Sequence, residues 1–157
     1  MEHYKVKNGN RIYEFDGTLL SSSTSKKPGS YRWVEFNLYI TAAGTYILER
    51  VGQTDIFHHI ECEVVGRNKL KFSPEDILED RHVPCEICDP MDDHDIVLEK
   101  PRYFALVSEY PAAILEALHK RADDGARYMT YVTQRLIEDA AVHDKRPEKA
   151  YKVEYIK

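Results

Sequence analysis

The ten residues Arg32–Thr41, RWVEFNLYIT, constrain this chain more than any other stretch. Val34, Phe36, Leu38 and Ile40 alternate with Trp33, Glu35, Asn37 and Tyr39. A β-strand turns that period of two into one apolar face, whereas a helix would scatter it. The first set is expected to face a core, and the second to be amphipathic and more exposed. Ala42-Ala43-Gly44 turns the chain into TYILERV, a second strand. IFHHIECEVV reads as a third, with Ile56, His58, Ile60, Cys62 and Val64 on one face and Phe57, His59, Glu61 and Glu63 on the other. Ahead of these, YKVK and NRIYEF flank Asn8-Gly9, which suits a two-residue type I′ turn. Residues 21–30, SSSTSKKPGS, read as a mobile surface loop. Strands at this spacing predict an antiparallel meander with one wet face.

The pattern changes after residue 72. Ser73-Pro74-Glu75-Asp76 reads as a helix start, Ser capping and Pro at the first helical position, with a short helix through Leu78. RHVPCEICDPMDDHD has two prolines and no period, so an irregular segment is expected there. DIVLE and YFALV read as further short strands. Pro111 opens PAAILEALHKRA, with an apolar stripe of Ile114, Leu115 and Leu118, and Asp123-Asp124-Gly125 interrupts it. A second helix is expected to about His143, with Met129, Val132, Leu136 and Ala140 at helical spacing, stopped by Pro147. YKVEYI reads as a last strand. Strands first and helices later predict an α+β fold: a four- to six-stranded, mainly antiparallel meander packed by two C-terminal helices, with an irregular Cys/His/acidic loop at one end.

The 157 residues fit one domain over 1–157, strand-rich to 72, irregular and acidic over 73–100, and mainly helical from 101. No apolar run approaches the ~20 residues of a bilayer crossing. MEHYKVKNGN carries no apolar signal core, and three Cys is an odd count for a disulfide framework, so the expected location is cytoplasmic. The net charge of −5 is uneven. Residues 75–99 hold ten acids against one strong base, Arg81, and the rest of the chain is slightly positive. With no broad basic face, nucleic acid is not expected as a partner. Acidic stretches are most often solvated loops and helix faces, and the functional alternatives are a cation site or a surface for a basic partner.

Glu14-Phe15-Asp16-Gly17-Thr18-Leu19-Leu20 resembles the DxDGTL signature of haloacid-dehalogenase-type phosphatases. The position of that family's nucleophilic Asp holds Glu14, and no helix in a parallel sheet follows, so a strand end with an Asp-Gly turn is expected instead.

His82-Val83-Pro84-Cys85-Glu86-Ile87-Cys88 is the most specific local signal. Cys-x-x-Cys lets two thiolates take adjacent corners of one tetrahedron, which suits Zn2+. The remaining ligands are expected from His82 and His94 within the same loop, with Cys62 able to replace either His. On a continuous strand His58 and Cys62 would lie roughly 13 Å apart, and His59 and Cys62 about 10 Å apart on opposite faces, so neither pair could grip one ion unless the strand breaks. Otherwise Cys62 is a small core hydrophobe, His58 a core or edge histidine and His59 a surface one. A redox dithiol fits poorly, because Asp89-Pro90 follows where a helix would start.

Residues 11–51 resemble part of the EXLDI proteins, through Phe15-x-Gly17-x-Leu19-Leu20 and through Val34-Glu35-Phe36-x-Leu38-Tyr39-x-Thr41-x-x-Gly44-x-Tyr46-x-Leu48-x-Arg50. The resemblance implies a β-meander core packed by helices. It implies no reaction and no catalytic residues.

The expected function is a non-catalytic interaction or regulatory protein, stapled by one structural zinc, with the acidic segment meeting a basic protein partner in the manner of an inhibitor or a DNA mimic. Eleven Tyr suit such a contact surface, although core and sheet packing explain them equally. The rival is a zinc-dependent hydrolase using His82, Cys85, Cys88 and His94 near Asp92, Asp93 and Asp95, which needs an open metal position.

Overall fold

The computed structural model describes residues 1–75, 78–88 and 95–152. Packing groups the chain into two compact units, one of Met1–Ser25, Val34–Val51 and Tyr103–Lys157, the other of Lys26–Trp33 and Gly52–Arg102. The fold is α+β, as the succession of periods predicts.

The first unit is built on a mainly antiparallel five-stranded sheet. The strands of that sheet are β1 (Glu2–Asn8), β2 (Arg11–Thr24), β3 (Arg32–Thr41), β4 (Tyr46–Thr54) and β9 (Arg102–Ser108), adjacent in that order, and the strand ends at residues 32–33, 52–54 and 102 fall in the second unit. Asn8 pairs with Arg11, so the hairpin turn is Gly9-Asn10, one residue later than the sequence suggests. Gly9 takes φ +59° while Asn10 stays out of the left-handed region, the sign pattern of a type II′ turn rather than I′. The Gly9 N–H donates to the Tyr103 carbonyl at 2.9 Å, so the sheet curls until the β1–β2 turn meets β9.

β2 is longer than expected. It absorbs Ser21–Thr24 from the anticipated loop and carries EFDGTLL straight through its middle, with no Asp-Gly turn. Gly17 sits where any Cβ would lie 2.5 Å from the Ile40 carbonyl oxygen, so glycine is required by close strand approach. A bulge between Leu19 and Ser21 shifts the side-chain phase and turns both Leu20 and Ser21 inward. The Ser21 hydroxyl then donates to the Leu136 carbonyl at 2.7 Å.

β3 has the bounds its alternation marks. Leu38 is fully buried, with Phe36 and Ile40 packed beside it against Leu20, Tyr46 and Leu48 and the helical residues Ile114, Leu115, Leu136 and Ile137. The opposite face is less wet than alternation implies. There Tyr39 is buried with Val6, Ile47 and Ala105, and its ring meets those of Tyr4 and Phe15 at 4.7 and 5.2 Å. Curling of the sheet lets its second face bury aromatic rings from its own strands.

Among the described residues three C-terminal helices, not two, belong to this unit. α2 (Pro111–Leu118) starts on Pro111 and buries the expected Ile114, Leu115 and Leu118, but stops before His119. A two-residue hairpin, β10 (Lys120–Arg121) with β11 (Arg127–Tyr128), follows, and Gly125 at φ +86° makes its turn. Thr130 caps α3 (Tyr131–Ala140) through the Thr133 N–H. α4 (Arg146–Lys152) contains Pro147 in its first turn, where a missing N–H costs nothing, so Pro147 opens a helix rather than ending one. Tyr151 and Lys152 are helical rather than extended, and the rest of the expected last strand lies outside the described residues. Beneath the helices the Tyr46 hydroxyl donates to Asp144 Oδ2 at 2.6 Å, and Arg146 Nη2 lies 2.7 Å from the same oxygen.

The second unit holds a four-stranded sheet ordered β6-β8-β5-β7: β5 (Ile56–His59), β6 (Phe72–Glu75), β7 (Val83–Pro84) and β8 (Ile96–Glu99). α1 (Glu63–Arg67) and a 3-10 turn at Lys69–Lys71 connect β5 to β6. Two expectations fail here. The run IFHHIECEVV is a four-residue strand followed by a turn and a helix. Ser73-Pro74-Glu75 is extended and pairs antiparallel with Leu98, Val97 and Ile96, because Pro74 fits an edge strand as readily as a helix start.

Candidate metal centre

The break in β5 creates the site. After His59 the chain turns, and the Cys62 N–H donates to the His59 carbonyl at 2.8 Å. Cys62 then heads α1, its carbonyl accepting from the Gly66 N–H at 3.1 Å. The turn folds Cys62 back over β5, so its Sγ lies 3.6 Å from His58 Nδ1 instead of roughly 13 Å along an extended strand.

The knuckle is delivered by β7, which pairs parallel with β5 through Ile56–Val83 and Phe57–Pro84. The Val83 N–H donates to the Asp55 carbonyl and the Cys85 N–H to the Phe57 carbonyl, both at 3.0 Å. Pro84 has no N–H, and none is needed there because the flanking residues carry the pairing. The Cys88 N–H returns to the Cys85 carbonyl at 3.2 Å, closing the Cys-x-x-Cys turn. Buried Asp55 anchors the approach through an ion pair with Arg81.

His58, Cys62, Cys85 and Cys88 thereby bring one ligand atom each to within 4.8 Å of all the others. Cys62 Sγ and Cys85 Sγ are 3.9 Å apart, and Cys85 Sγ and Cys88 Sγ 3.2 Å. A tetrahedral ion bound at ~2.3 Å to sulfur and ~2.0 Å to nitrogen would space its ligands about 3.5–3.8 Å apart. The His58–Cys62 and Cys62–Cys85 separations fall close to that edge length. The donor set is three sulfurs and one imidazole nitrogen, a soft set suited to zinc-like ions. All three cysteines are half-buried free thiols.

The thiols share charge unevenly. Burial opposes ionisation of Cys85, but hydrogen bonding with the Cys88 thiol, the Ile87 and Cys88 N–H groups and the Cys62 thiol outweighs it and holds Cys85 below an ordinary thiol. Burial pushes Cys88 up to about 12, against the His59 N–H that reaches its sulfur at 3.4 Å, and the neighbouring Cys85 adds to the rise. Such clustered thiols ionise together readily only when a cation neutralises them.

His58 is buried at 2% exposure, its ring edge-on to Phe72 at a centroid distance of 5.1 Å. Among the sequence candidates, Cys62, Cys85 and Cys88 converge. His82 does not join them: its Nδ1 accepts the Glu79 N–H at 3.0 Å, three residues back in its own loop. His94, Asp92 and Asp93 lie outside the described residues. Asp95, at φ +53°, is exposed, and its carbonyl accepts the Ile60 N–H at 2.8 Å. The chain around His58 reads as one uninterrupted strand, and that pattern hides it as a ligand. The available signal was the spacing itself, His58-x-x-x-Cys62, which is one compact turn once the strand ends.

The class of site is thus a Cys3His cluster on a small β-sheet, assembled from two segments of one unit. No family model, curated protein or solved structure matches the chain. No helix among the described residues is long and apolar enough to cross a membrane.

Proposed function

We propose that this is a non-catalytic interaction protein whose second unit is stapled by one structural zinc, held by His58, Cys62, Cys85 and Cys88. The observation that carries the reading is the convergence of four ligand atoms within 4.8 Å. Four protein ligands complete a tetrahedron and leave no position for a water, which favours a structural ion over the hydrolase alternative. The size of the unit supports a staple. Among the described residues its buried apolar side chains are Phe57, Val65, Phe72, Ile96 and Val97, with Cys62 and Val64 beside them, a small core for a sheet of such short strands.

The partner in this reading is a protein with a basic surface. Glu79, Asp80 and Glu86 are exposed in the segment that carries the knuckle, Glu79 sharing Arg81 with buried Asp55, whereas Glu99 is turned inward on Arg32. Three thiols without a disulfide suit a reducing, cytoplasmic compartment. Kinship with the EXLDI proteins belongs to the same proposal and rests on the matching residues of β2, β3 and β4.

Native mass spectrometry with elemental analysis, on protein purified without added metal or chelator, tests the metal. One zinc per chain is expected, and a strong chelator should collapse amide protection across residues 52–102. Protein that is metal-free, fully reduced and equally protected with or without zinc would refute the staple. A metal-bound water detected by relaxation in the Co2+-substituted protein would favour the hydrolase. Immobilised protein should retain a basic partner that elutes with salt, and charge reversal at Glu79, Asp80 and Glu86 should abolish retention.

A further inference from the structure

We propose that Glu99 is the outer carboxylate of this centre, fixing His58 as an Nδ1 ligand, and that Arg32 completes the support; the inference rests on the metal reading above. His58 presents its two ring nitrogens to different surroundings. Nδ1 lies 3.6 Å from Cys62 Sγ, on the side of the thiols. Nε2 is buried without a hydrogen bond, yet stands 3.4 Å from Glu99 Oε2. A small rotation of the ring closes that gap. A ligating histidine whose other N–H reaches a carboxylate is held in one tautomer and one orientation, and its metal-bound nitrogen becomes a better donor.

Glu99 is placed for this and is not a surface acid. Its side chain is 12% exposed, on the last residue of β8. Arg32 Nη2 reaches both of its oxygens, at 2.7 and 2.8 Å, and the Thr54 hydroxyl donates to Oε1 at 3.2 Å. Thr54 in turn accepts the Ile56 N–H at 3.1 Å, which ties this support to the start of the ligand-bearing strand β5. The charge balance explains the arginine. Three thiolates around a divalent ion leave one net negative charge, and a buried carboxylate beside them adds another. A guanidinium gripping that carboxylate offsets the addition, while Oε2 still faces Nε2 at 3.4 Å. Arg32 therefore supports metal binding although it touches no ligand.

Long-range proton–nitrogen correlation NMR of the zinc-loaded full chain reads the His58 tautomer directly. Nδ1 bound to metal and Nε2 carrying the proton is the expected result. Competition against a chromophoric chelator measures affinity. Glu99→Gln should weaken zinc binding about 10-fold or more, and Arg32→Met in the same direction by less. Metal on Nε2, or a Glu99→Gln variant within twofold of the parent, would overturn the proposal. If Glu99→Gln does not fold, the tautomer in the unaltered protein decides alone. A parent protein that binds no zinc refutes the metal reading itself, whereas a parent that binds one zinc with an unaffected Glu99→Gln variant refutes only the role of Glu99.

Discussion

Replacing Asp144 by Asn removes one charge from the core of the first unit and nearly no volume. Asp144 follows α3 with a side chain only 8% exposed, accepting from the Tyr46 hydroxyl at 2.6 Å and from Arg146 Nε and Nη2 at 2.9 and 2.7 Å. The Arg146 guanidinium lowers its carboxyl most; burial opposes this, and the Tyr46 hydroxyl and Arg146 N–H add to the lowering, bringing it from 3.8 to about 2. Tyr46 responds in the opposite sense, its phenol raised first by burial and then by the hydrogen bond to Asp144. The difference between 3.8 and 2 converts to about 2 kcal/mol in favour of the folded state. Because the folded value is depressed, that contribution is complete above about pH 4 and disappears as pH falls through about 2. Urea denaturation followed by circular dichroism, on the parent and Asp144→Asn, should show the variant about 2 kcal/mol less stable at pH 7. The gap should narrow steadily between pH 4 and pH 2. High salt should shrink it in part, because Arg146 is largely exposed. A gap below ~0.5 kcal/mol at pH 7, or one that stays constant from pH 5 to pH 2, would refute the assignment of this stability to the ionised carboxylate.

Gly17→Ala should cost upwards of ~2 kcal/mol in the same denaturation assay, because the added methyl meets the Ile40 backbone carbonyl and the two strands must separate; a neutral result would show that β2 and β3 are not so close. Leu136→Ala empties a fully buried position and should cost about 2–5 kcal/mol by the same measurement. Cys62→Ser and His58→Ala should each lower zinc affinity by orders of magnitude in chelator competition, while His82→Ala leaves it unchanged; the reverse order would place the ligands in the loop instead. Acid should release the metal, since protons compete for three thiolates and an imidazole, and a coupled proton count from calorimetry at two buffer pKa values should exceed one per zinc.

The strands and helices of the first unit are legible where one period governs a segment. RWVEFNLYIT keeps its alternation from end to end, and β3 has those bounds. Ile114, Leu115 and Leu118 share a helical face and are buried on it. The structure departs from the sequence pattern at residues whose local chemistry has two outcomes. Pro74 and Pro147 are both compatible with a helix start; strand pairing with β8 makes the first extended, and packing of α4 on α2 and α3 lets the second open a helix instead of ending one. EFDGTLL holds a dipeptide that turns elsewhere, yet here the neighbouring β3 backbone keeps it extended.

Spacing within a few residues suffices for the α+β class, for the strongest strands and for placing Cys85 and Cys88 on one knuckle. The tertiary structure alone decided the rest of the centre. Whether Cys62 lies about 13 Å from His58 or against its ring depends on where β5 stops, and that is set by pairing with β7 and β8 rather than by the residues between them. His82 was the nearer histidine in sequence, but its ring is engaged by the Glu79 N–H within its own turn, and His58 reaches the cysteines from the adjacent strand. Backbone pairing between segments far apart in the chain fixes which side chains meet, and the His58-x-x-x-Cys62 spacing becomes a site only where that pairing ends β5.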